Sequence, residues 1–384
     1  VLGQHATVSD PVSGDQTWEK VVSKNLGLDL NMFNNRLSLT TDFYIRDTKG
    51  ILGKGKSLPS IYGASEPQMN ANNLRTKGYE LVLGWRDSFK LAGSTFSYGI
   101  TGTFSDYTAE YTKCDNPTGL IGDPYVGKKY GEIWGYKVDG LFRNDKEAAE
   151  YASRIDLSTV ASGYYTATGA YGKGVRGGDI KYLDLNGDNI VNGGKGTLDD
   201  PGDRRVIGNS SPRYQYGASL NFSWYGFDVS VFMQGIGRLD WYPGADNLRF
   251  WGPYCRPYAT FVPKNFMSQV WSEENPDAYF PRARAYTSLN SNSGTAYYTN
   301  DRYLQNLAYC RLKNLTIGYT IPRRLTSKVG IKECRIYFSG ENLATWSALK
   351  SDFLDPEQAA ADSDKKANVY PWCKTYSIGL NLTF

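Results

Sequence analysis

The sequence predicts an all-β fold, a transmembrane antiparallel β-barrel. Three observations support this prediction: the pattern of the last strand, the repetition of that pattern along the chain, and an alternation of short and long connections. Residues 375–384 (TYSIGLNLTF) alternate strictly between apolar residues and small polar ones. In an outer-membrane barrel the apolar face of such a strand meets lipid and the polar face meets a wet lumen.

The end of this strand also carries a local motif. Ser377-x-Gly379-x-x-Leu382-x-Phe384 looks like the carboxy-terminal signal by which outer-membrane barrel proteins are recognised for insertion. We therefore expect Gly379, Leu382 and Phe384 to act in membrane insertion.

The period-two pattern recurs in nine segments of strand length. In chain order they are residues 17–33, 36–48, 74–87, 94–107, 213–224, 227–238, 302–321, 332–342 and 372–384. Ala218, Leu220 and Phe222, for example, alternate with Ser219 and Asn221.

The connections between these segments fall into two classes that alternate along the chain. The short ones are residues 34–35, 88–93, 225–226 and 322–331, and the long ones are residues 49–73, 108–212, 239–301 and 343–371. Short turns on one rim and long loops on the other are the barrel arrangement, with the short rim facing the periplasm. Counting residues 131–142 as a tenth strand would break this alternation, so we place them inside an outer loop. Residues 145–154 and 264–274 have helical patterns and are expected on the same outer surface.

Nine is an odd number of strands, whereas bacterial single-chain barrels close with an even number. An open edge inside a bilayer leaves backbone groups unsatisfied. We therefore expect residues 1–384 to be the carboxy-terminal part of a larger barrel. The missing part is explained either by a protease cut in the outer loop that holds residues 1–16 or by omission of the rest. Residue 1 is not followed by a charged n-region and an apolar h-region, so we expect no secretory signal within residues 1–384.

Composition excludes several classes of protein. The mean hydropathy is −0.49 and there is no apolar run long enough for a transmembrane helix, as a barrel allows. A net charge of +4 without a basic run argues against a nucleic-acid partner. The five cysteines lack CxxC spacing, and the single histidine, His5, lies in a polar stretch, so neither indicates a metal or catalytic site. No GxSxG, HExxH or P-loop pattern occurs, and we expect no enzymatic activity.

Seven segments together resemble one known family along nearly the whole chain, the SusC/RagA class of TonB-dependent outer-membrane transporters. The matching segments are residues 73–87 (NLRTKGYELVLGWRD), 131–142, 178–189 (GDIKYLDLNGDN), 207–218 (IGNSSPRYQYGA), 311–322 (RLKNLTIGYTIP), 335–347 (RIYFSGENLATWS) and 370–384. Each segment alone is weak, but their order and spacing are specific.

The resemblance implies more than periodicity does. It implies a 22-stranded barrel in the bacterial outer membrane, of which this chain supplies about nine strands, and a plug and TonB-binding motif that this chain lacks. It also implies a SusD-like surface lipoprotein as a lid, and active import of glycans or peptides driven through the TonB complex. The rival interpretations are a passive porin and a secreted all-β glycan-binding protein.

One loop resembles the first part of a calcium loop. Asp184, Asn186, Asp188 and Asn192 supply side-chain oxygens, and Ile190 supplies a carbonyl. Lys195 stands where such a loop carries its bidentate glutamate, although Asp199, Asp200 or Asp203 is near enough in sequence to replace it. The alternative is an Asx-rich turn held by side chain to backbone hydrogen bonds. No other cofactor is expected.

A second candidate site lies in the loop of residues 239–301, where aromatic rings alternate with polar groups. Flat rings stack on the apolar faces of sugars, and neighbouring polar groups bond hydroxyls or peptide groups. The candidate substrate-binding residues are Trp241, Tyr242, Asp246, Asn247, Arg249, Trp251, Tyr254 and Arg256. The alternative is that the rings pack the loops against one another or against a lid protein.

Overall fold

A computed structural model gives the fold of the chain. It describes residues 14, 16–54, 61, 67–166, 174–255, 262, 264–284, 288–289, 294–351, 354–360, 370 and 372–384. Among these, the helices are too short and too polar to cross a membrane.

Fifteen strands are present in the described part of the chain. They are β1 (Lys20–Met32), β2 (Leu37–Lys54), β3 (Gln68–Leu91), β4 (Ser94–Lys113), β5 (Glu132–Tyr136), β6 (Val138–Leu141), β7 (Ile180–Tyr182), β8 (Arg204–Asn209), β9 (Arg213–Trp224), β10 (Phe227–Arg238), β11 (Asp240–Trp241), β12 (Gln305–Asn306), β13 (Tyr309–Thr320), β14 (Glu333–Ser347) and β15 (Thr375–Thr383).

Nine of these strands form one antiparallel sheet in chain order, β1-β2-β3-β4-β9-β10-β13-β14-β15. Each corresponds to one of the nine predicted segments, and β9 and β10 match their predicted ends. The segment predicted from residue 302 begins later, at Tyr309, because Tyr303 and Leu307 are buried in the packed outer loops. Several strands continue beyond the predicted ends toward the long loops, and β3 is the longest at 24 residues.

The tight turns on one rim have the backbone that hairpins need. Tyr225 and Gly226 have φ of 49° and 84°, and Ala92 and Gly93 have φ of 46° and 86°. Positive φ at both central residues gives a turn whose twist matches that of the flanking strands. The connection predicted over residues 88–93 is therefore shorter than expected, since β3 runs to Leu91.

The long loops contain short elements of their own. Strands β5 and β8, β6 and β7, and β11 and β12 form three small two-stranded sheets, which confirms that residues 131–142 stand outside the barrel sheet. The α-helices are α1 (Asp145–Ala152), α2 (Ser162–Thr166), α3 (Leu248–Trp251) and α4 (Arg323–Thr326). Short 3-10 turns occupy Gly252–Tyr254, Phe266–Gln269 and Ser327–Val329.

One of the two helices predicted in the loops is confirmed. Helix α1 is capped by Asn144, whose side chain accepts from the backbone N–H of Glu147, while Glu147 reaches back to the N–H of Arg143. The helix predicted over residues 264–274 is wrong. Only one 3-10 turn forms there, because Val270 bridges Phe280 and Ser272 turns back on Asn275.

The buried core of the molecule lies in the long loops and not in the nine-stranded sheet. All members of the main core cluster fall within residues 136–191, 239–307 and 354–359. We call the described parts of 114–212, 239–308 and 348–360 the outer-loop domain. The nine-stranded sheet thus forms a wall, and the outer-loop domain packs at the rim of this wall where the long loops are.

Candidate transport surface

The nine-stranded sheet has one apolar face. Leu26, Leu28 and Leu30 of β1 share it with Phe43 and Ile45 of β2, and all five are exposed. The cross-strand register carries this stripe from strand to strand, since Leu26 lies opposite Phe43 and Leu30 opposite Leu39. At the other end of the sheet Tyr376, Ile378, Leu380 and Leu382 are exposed in the same way. An exposed surface this continuous marks an interface with another apolar phase.

Rings border the aliphatic part of this face on two sides. Near the short turns, Phe89 packs on Phe96 at 5.3 Å between ring centroids, and Phe227 packs on Tyr319 at 4.6 Å. On the side toward the long loops, midway along β3, the ring centroid of Tyr79 lies 6.3 Å from that of Phe43 and 6.0 Å from that of Phe104. Aromatic girdles flanking an aliphatic band are typical of a barrel that crosses a bilayer.

The opposite face of the sheet is polar. The Thr40 hydroxyl donates to Asp29 at 2.7 Å, and the hydroxyls of Thr316 and Ser339 lie 3.3 Å apart. Near the short turns, the Arg335 guanidinium forms a bidentate ion pair with the Asp228 carboxylate, with N–O distances of 2.9 and 2.5 Å. This face is suited to line an aqueous passage.

An open cavity of about 890 Å³ lies at the short-turn end of this polar face. Its lining includes Arg36, Arg86, Asp87 and Asp228 together with one serine from each of four strands, β3, β4, β9 and β10. Such a lining can bind polar segments by hydrogen bonds and by charge.

The residues of the predicted insertion signal lie on β15, which pairs with β14. Gly379 stands beneath the ring of Tyr337, and a Cβ there would lie 2.2 Å from that ring. Any larger residue at this position would displace the Tyr337 ring. Leu382 and Phe384 are exposed, and the Lys332 ammonium donates to the carbonyl oxygen of Phe384 at 2.7 Å. The role of the three residues in insertion stays a prediction.

Most of the predicted substrate-binding rings are core residues. Trp241, Tyr242, Trp251 and Tyr254 are each at most 7% exposed. The Tyr242 hydroxyl donates to backbone carbonyls of residues 296 and 298, and Trp251 packs on Tyr303 at 5.0 Å between centroids. These four rings are thus inaccessible to a ligand in this conformation, because they pack the loops against one another.

The polar members of the same set divide into three groups. Asn247 is fully buried and caps α3 by accepting from the N–H of Phe250 at 3.0 Å. Asp246 and Arg249 are exposed. Arg256 lies outside the described residues. A substrate contact stays a prediction for Asp246 and Arg249, while the structure gives Asn247 a capping role.

The predicted calcium loop is closed by hydrogen bonds to its own backbone. Asp184 accepts from the N–H groups of Gly187 and Asn189, at 2.7 and 2.9 Å. The Asp188 carboxylate accepts a hydrogen bond from the N–H of Ile190 at 2.8 Å. The side-chain oxygen of Asn192 accepts one from the N–H of Gly194. These bonds are those of an Asx-rich turn.

Asp203, a candidate for the missing calcium ligand, binds the backbone of the loop instead. It is fully buried and accepts from the N–H groups of Leu185, Asn186 and Asn192. Its buried carboxylate therefore holds the backbone of the loop in place. Within the described residues no three acidic, histidine or cysteine side chains gather as a metal site would require. The turn is explained without an ion, and calcium stays a prediction.

Two ion pairs that hold the outer-loop domain had no signal in the sequence. Arg284 and Asp179, both nearly fully buried, meet at 2.9 and 2.6 Å across 105 residues of chain. The Arg284 guanidinium also lies 4.1 Å from the ring centroid of Tyr164. Burial, with the Asp179 carboxylate nearby, raises the pKa of Tyr164 to about 12, so this phenol stays neutral.

The second such contact joins the last outer loop to the polar face of the sheet. Arg311 of β13 donates to Asp355 and Glu357 at 2.7 Å each and to the hydroxyl of Thr345 at 2.9 Å. Lys313 donates to both oxygens of Glu357 at 2.8 Å. Arginine and acids so far apart in sequence carry no pattern that predicts their pairing.

Comparison with known proteins gives the class of this molecule. The chain is 25% identical over 98% of its length to TonB-dependent receptor P3 of Formosa agariphila and covers 35% of that protein. It is 22% identical over 96% of its length to TonB-dependent receptor SusC of Bacteroides thetaiotaomicron and covers 32% of it. The chain is therefore similar to proteins of the SusC/RagA class of TonB-dependent receptors. No family model matches it.

Solved structures agree with the relationship to this class. The RagAB peptide transporter superposes with a TM-score of 0.68 over 98% of this chain and 37% of the transporter chain, at 21% identity. The chain therefore has the fold of the matching β-barrel section of that protein, and its similarity to these receptors indicates the outer membrane. Its relatives are receptors and transporters rather than enzymes. The chain spans about a third of the length of the curated relatives it matches.

Proposed function

We propose that this chain is the carboxy-terminal barrel section, residues 1–384, of a transporter that imports oligomeric nutrients across the outer membrane. Import is powered through the TonB complex, which engages the amino-terminal plug and barrel portion of the same transporter. The substrates are oligosaccharides or oligopeptides.

The observation that carries the proposal is the pairing of two opposite faces on one wall. One face is apolar between two aromatic girdles, and the other bears Asp29, Asp228, Arg335 and many hydroxyls. A wall of this kind separates hydrocarbon from a water-filled passage. Its likeness to the RagAB peptide transporter over 98% of the chain supports import as the use of that passage.

The sheet edges support a partner for the barrel. Strands β1 and β15 each pair on one side only within the described residues. An unpaired edge in a bilayer costs several kcal/mol for each unsatisfied backbone group. We expect strands from the amino-terminal portion of the transporter to pair with both edges and close the barrel.

The outer-loop domain supports a second partner. It forms a packed body on the long-loop rim, and residues such as Asp246 and Arg249 are exposed on it. A folded surface with exposed charges is suited to dock a lid protein, and we propose a SusD-like surface lipoprotein in this role.

Uptake by the complete transporter tests the proposal. A host strain that lacks the gene is compared with the same strain carrying it, using fluorescent oligopeptides and oligosaccharides as probes. We expect gene-dependent uptake that stops when a protonophore dissipates the proton-motive force. Uptake that persists with the protonophore identifies a passive porin, and a protein released from cells without detergent contradicts the membrane assignment.

A further inference from the structure

We propose that the outer face of β1, β2 and β3 carries a binding site for a phosphate group of an outer-leaflet lipid. The site consists of Lys20, Lys24, Lys49 and Lys77, which we call the outer lysine patch. It lies on the lipid side of the wall and is separate from the passage that serves import.

The alternation of the strands places these lysines on the lipid side. Lys20 and Lys24 share the face of Leu26 and Leu28, and Lys49 shares that of Phe43 and Ile45. Lys77 shares the face of Tyr79 on β3. All four lysines are exposed.

The register brings them together. Lys20 of β1 lies directly opposite Lys49 of β2. Ile45 of β2 lies between Lys24 on β1 and Lys77 on β3. The patch is therefore about 13 Å long and about 10 Å wide, from the rise per residue and the strand spacing. That area fits one phosphorylated headgroup.

The position relative to the membrane points to a lipid. On β2 the apolar stripe runs from Leu37 to Ile45, and nine residues are about what a tilted transmembrane strand needs. On the side toward the long loops, Lys49 lies just beyond this stripe, and Lys77 lies just beyond the girdle residue Tyr79. Aromatic girdles lie at headgroup level, so the lysine ammonium groups reach the layer that holds lipid phosphates.

Among the described residues, basic groups outnumber acidic ones in and around the patch. Asp47 lies between the lysines and interacts with the charges of Lys24 and Lys49, but its hydrogen bonds go to Arg75, at 2.7 and 3.2 Å. Glu110 faces Arg75 on the next strand. Among the described residues the four lysines form no ion pair within 4 Å, and like charges placed opposite each other on a sheet repel. An anion between Lys20 and Lys49 relieves that repulsion.

Binding is measured on the complete transporter purified in a neutral detergent. The probes are phosphorylated lipid A and the same lipid after removal of its phosphates, added to the micelles and followed by thermal shift and by lipid retained per protein. The test variant carries Lys20→Gln, Lys24→Gln, Lys49→Gln and Lys77→Gln. The matched control changes four exposed lysines elsewhere, Lys90, Lys146, Lys264 and Lys328, to glutamine.

We expect the phosphorylated lipid to stabilise the wild type and the control. We expect its affinity for the test variant to be lower by about ten-fold or more. Binding should also weaken as salt is raised. Equal binding of the dephosphorylated lipid, or equal binding by the test variant, overturns the proposal. Displacement of the lipid by millimolar inorganic phosphate also overturns it, because the site would then take a soluble anion.

Discussion

The guanidinium of Arg311 lies 2.7 Å from the carboxylate of Asp355, although 44 residues separate them in the chain. Arg311 belongs to a barrel strand and is 2% exposed, and Asp355 belongs to the last outer loop. The same guanidinium holds Glu357, which Lys313 also contacts. This network fastens the loop to the inner side of the wall.

Replacing Arg311 with methionine should release this loop. Removing Arg311 leaves the carboxylate of Asp355 without its cation, although Lys313 still pairs with Glu357, and breaking a buried ion pair in this way costs about 3–5 kcal/mol. We expect the segment of residues 354–360 to become sensitive to limited proteolysis in the detergent-solubilised transporter. Arg249→Met, at an exposed position, is the control, and an unchanged cleavage pattern for Arg311→Met would refute the structural role.

Trp251 tests whether the rings of the second long loop are core residues. Because Trp251 is fully buried, we expect Trp251→Ala to destabilise the outer-loop domain by about 3–5 kcal/mol. Thermal unfolding followed by near-ultraviolet circular dichroism measures this loss, with Arg249→Ala as the matched control. A fully stable Trp251→Ala variant that loses only substrate binding would favour the ligand-contact hypothesis.

The Asp184 loop gives a prediction about metal. If it binds calcium, chelation should lower the melting temperature of the outer-loop domain, and added calcium should restore it. The Asp184→Ala, Asp188→Ala double variant should loosen docking of the lid protein and leave membrane insertion intact. Chelation without effect would leave the Asx turn as the whole explanation, and normal recovery of the lid complex would contradict the docking prediction.

Glu147 gives the outer-loop domain a dependence on acid pH. Partial burial raises the pKa of Glu147, but the Arg143 N–H and the Lys181 ammonium at 3.0 Å outweigh it, and the net pKa is lowered from its usual 4.5. A lowered folded-state pKa stabilises the domain above about pH 4.5, and that stability is lost as the pH falls.

The acid limb of an unfolding curve between pH 3 and pH 6 measures this effect. Lys181→Met should flatten that limb. Lys146→Met should leave it unchanged, because Lys146 is highly exposed and its ammonium lies 3.9 Å from the carboxylate of Glu150, which is also exposed. An acid limb of equal slope in the two variants would contradict the assignment to Glu147.

The barrel wall was predictable from sequence because its physics is local. Period-two alternation fixes which side chains meet lipid, and turn residues such as Tyr225 and Gly226 fix where strands end. All nine strands followed from these signals. The excess length of β3 did not, since alternation continues past the membrane.

The outer-loop domain was less predictable because its packing is non-local. Trp251 and Tyr303 come from distant positions and meet in one core, and Asp179 finds Arg284 across 105 residues. Ring-rich loop sequences look alike whether the rings contact a ligand or one another. Only the three-dimensional structure separates these outcomes, and here it buries the rings.

Cysteine scanning along β15 tests the central claim most directly. In the complete transporter, with the five cysteines of this chain and any others replaced by serine, single cysteines are placed at Ile378, Leu380, Ser377 and Asn381 and labelled with a fluorophore. We predict that labels at Ile378 and Leu380 are quenched by a lipid-soluble quencher, whereas labels at Ser377 and Asn381 respond to a charged aqueous quencher. Equal access of the aqueous quencher to all four positions would contradict a wall with one face in hydrocarbon and the other in water.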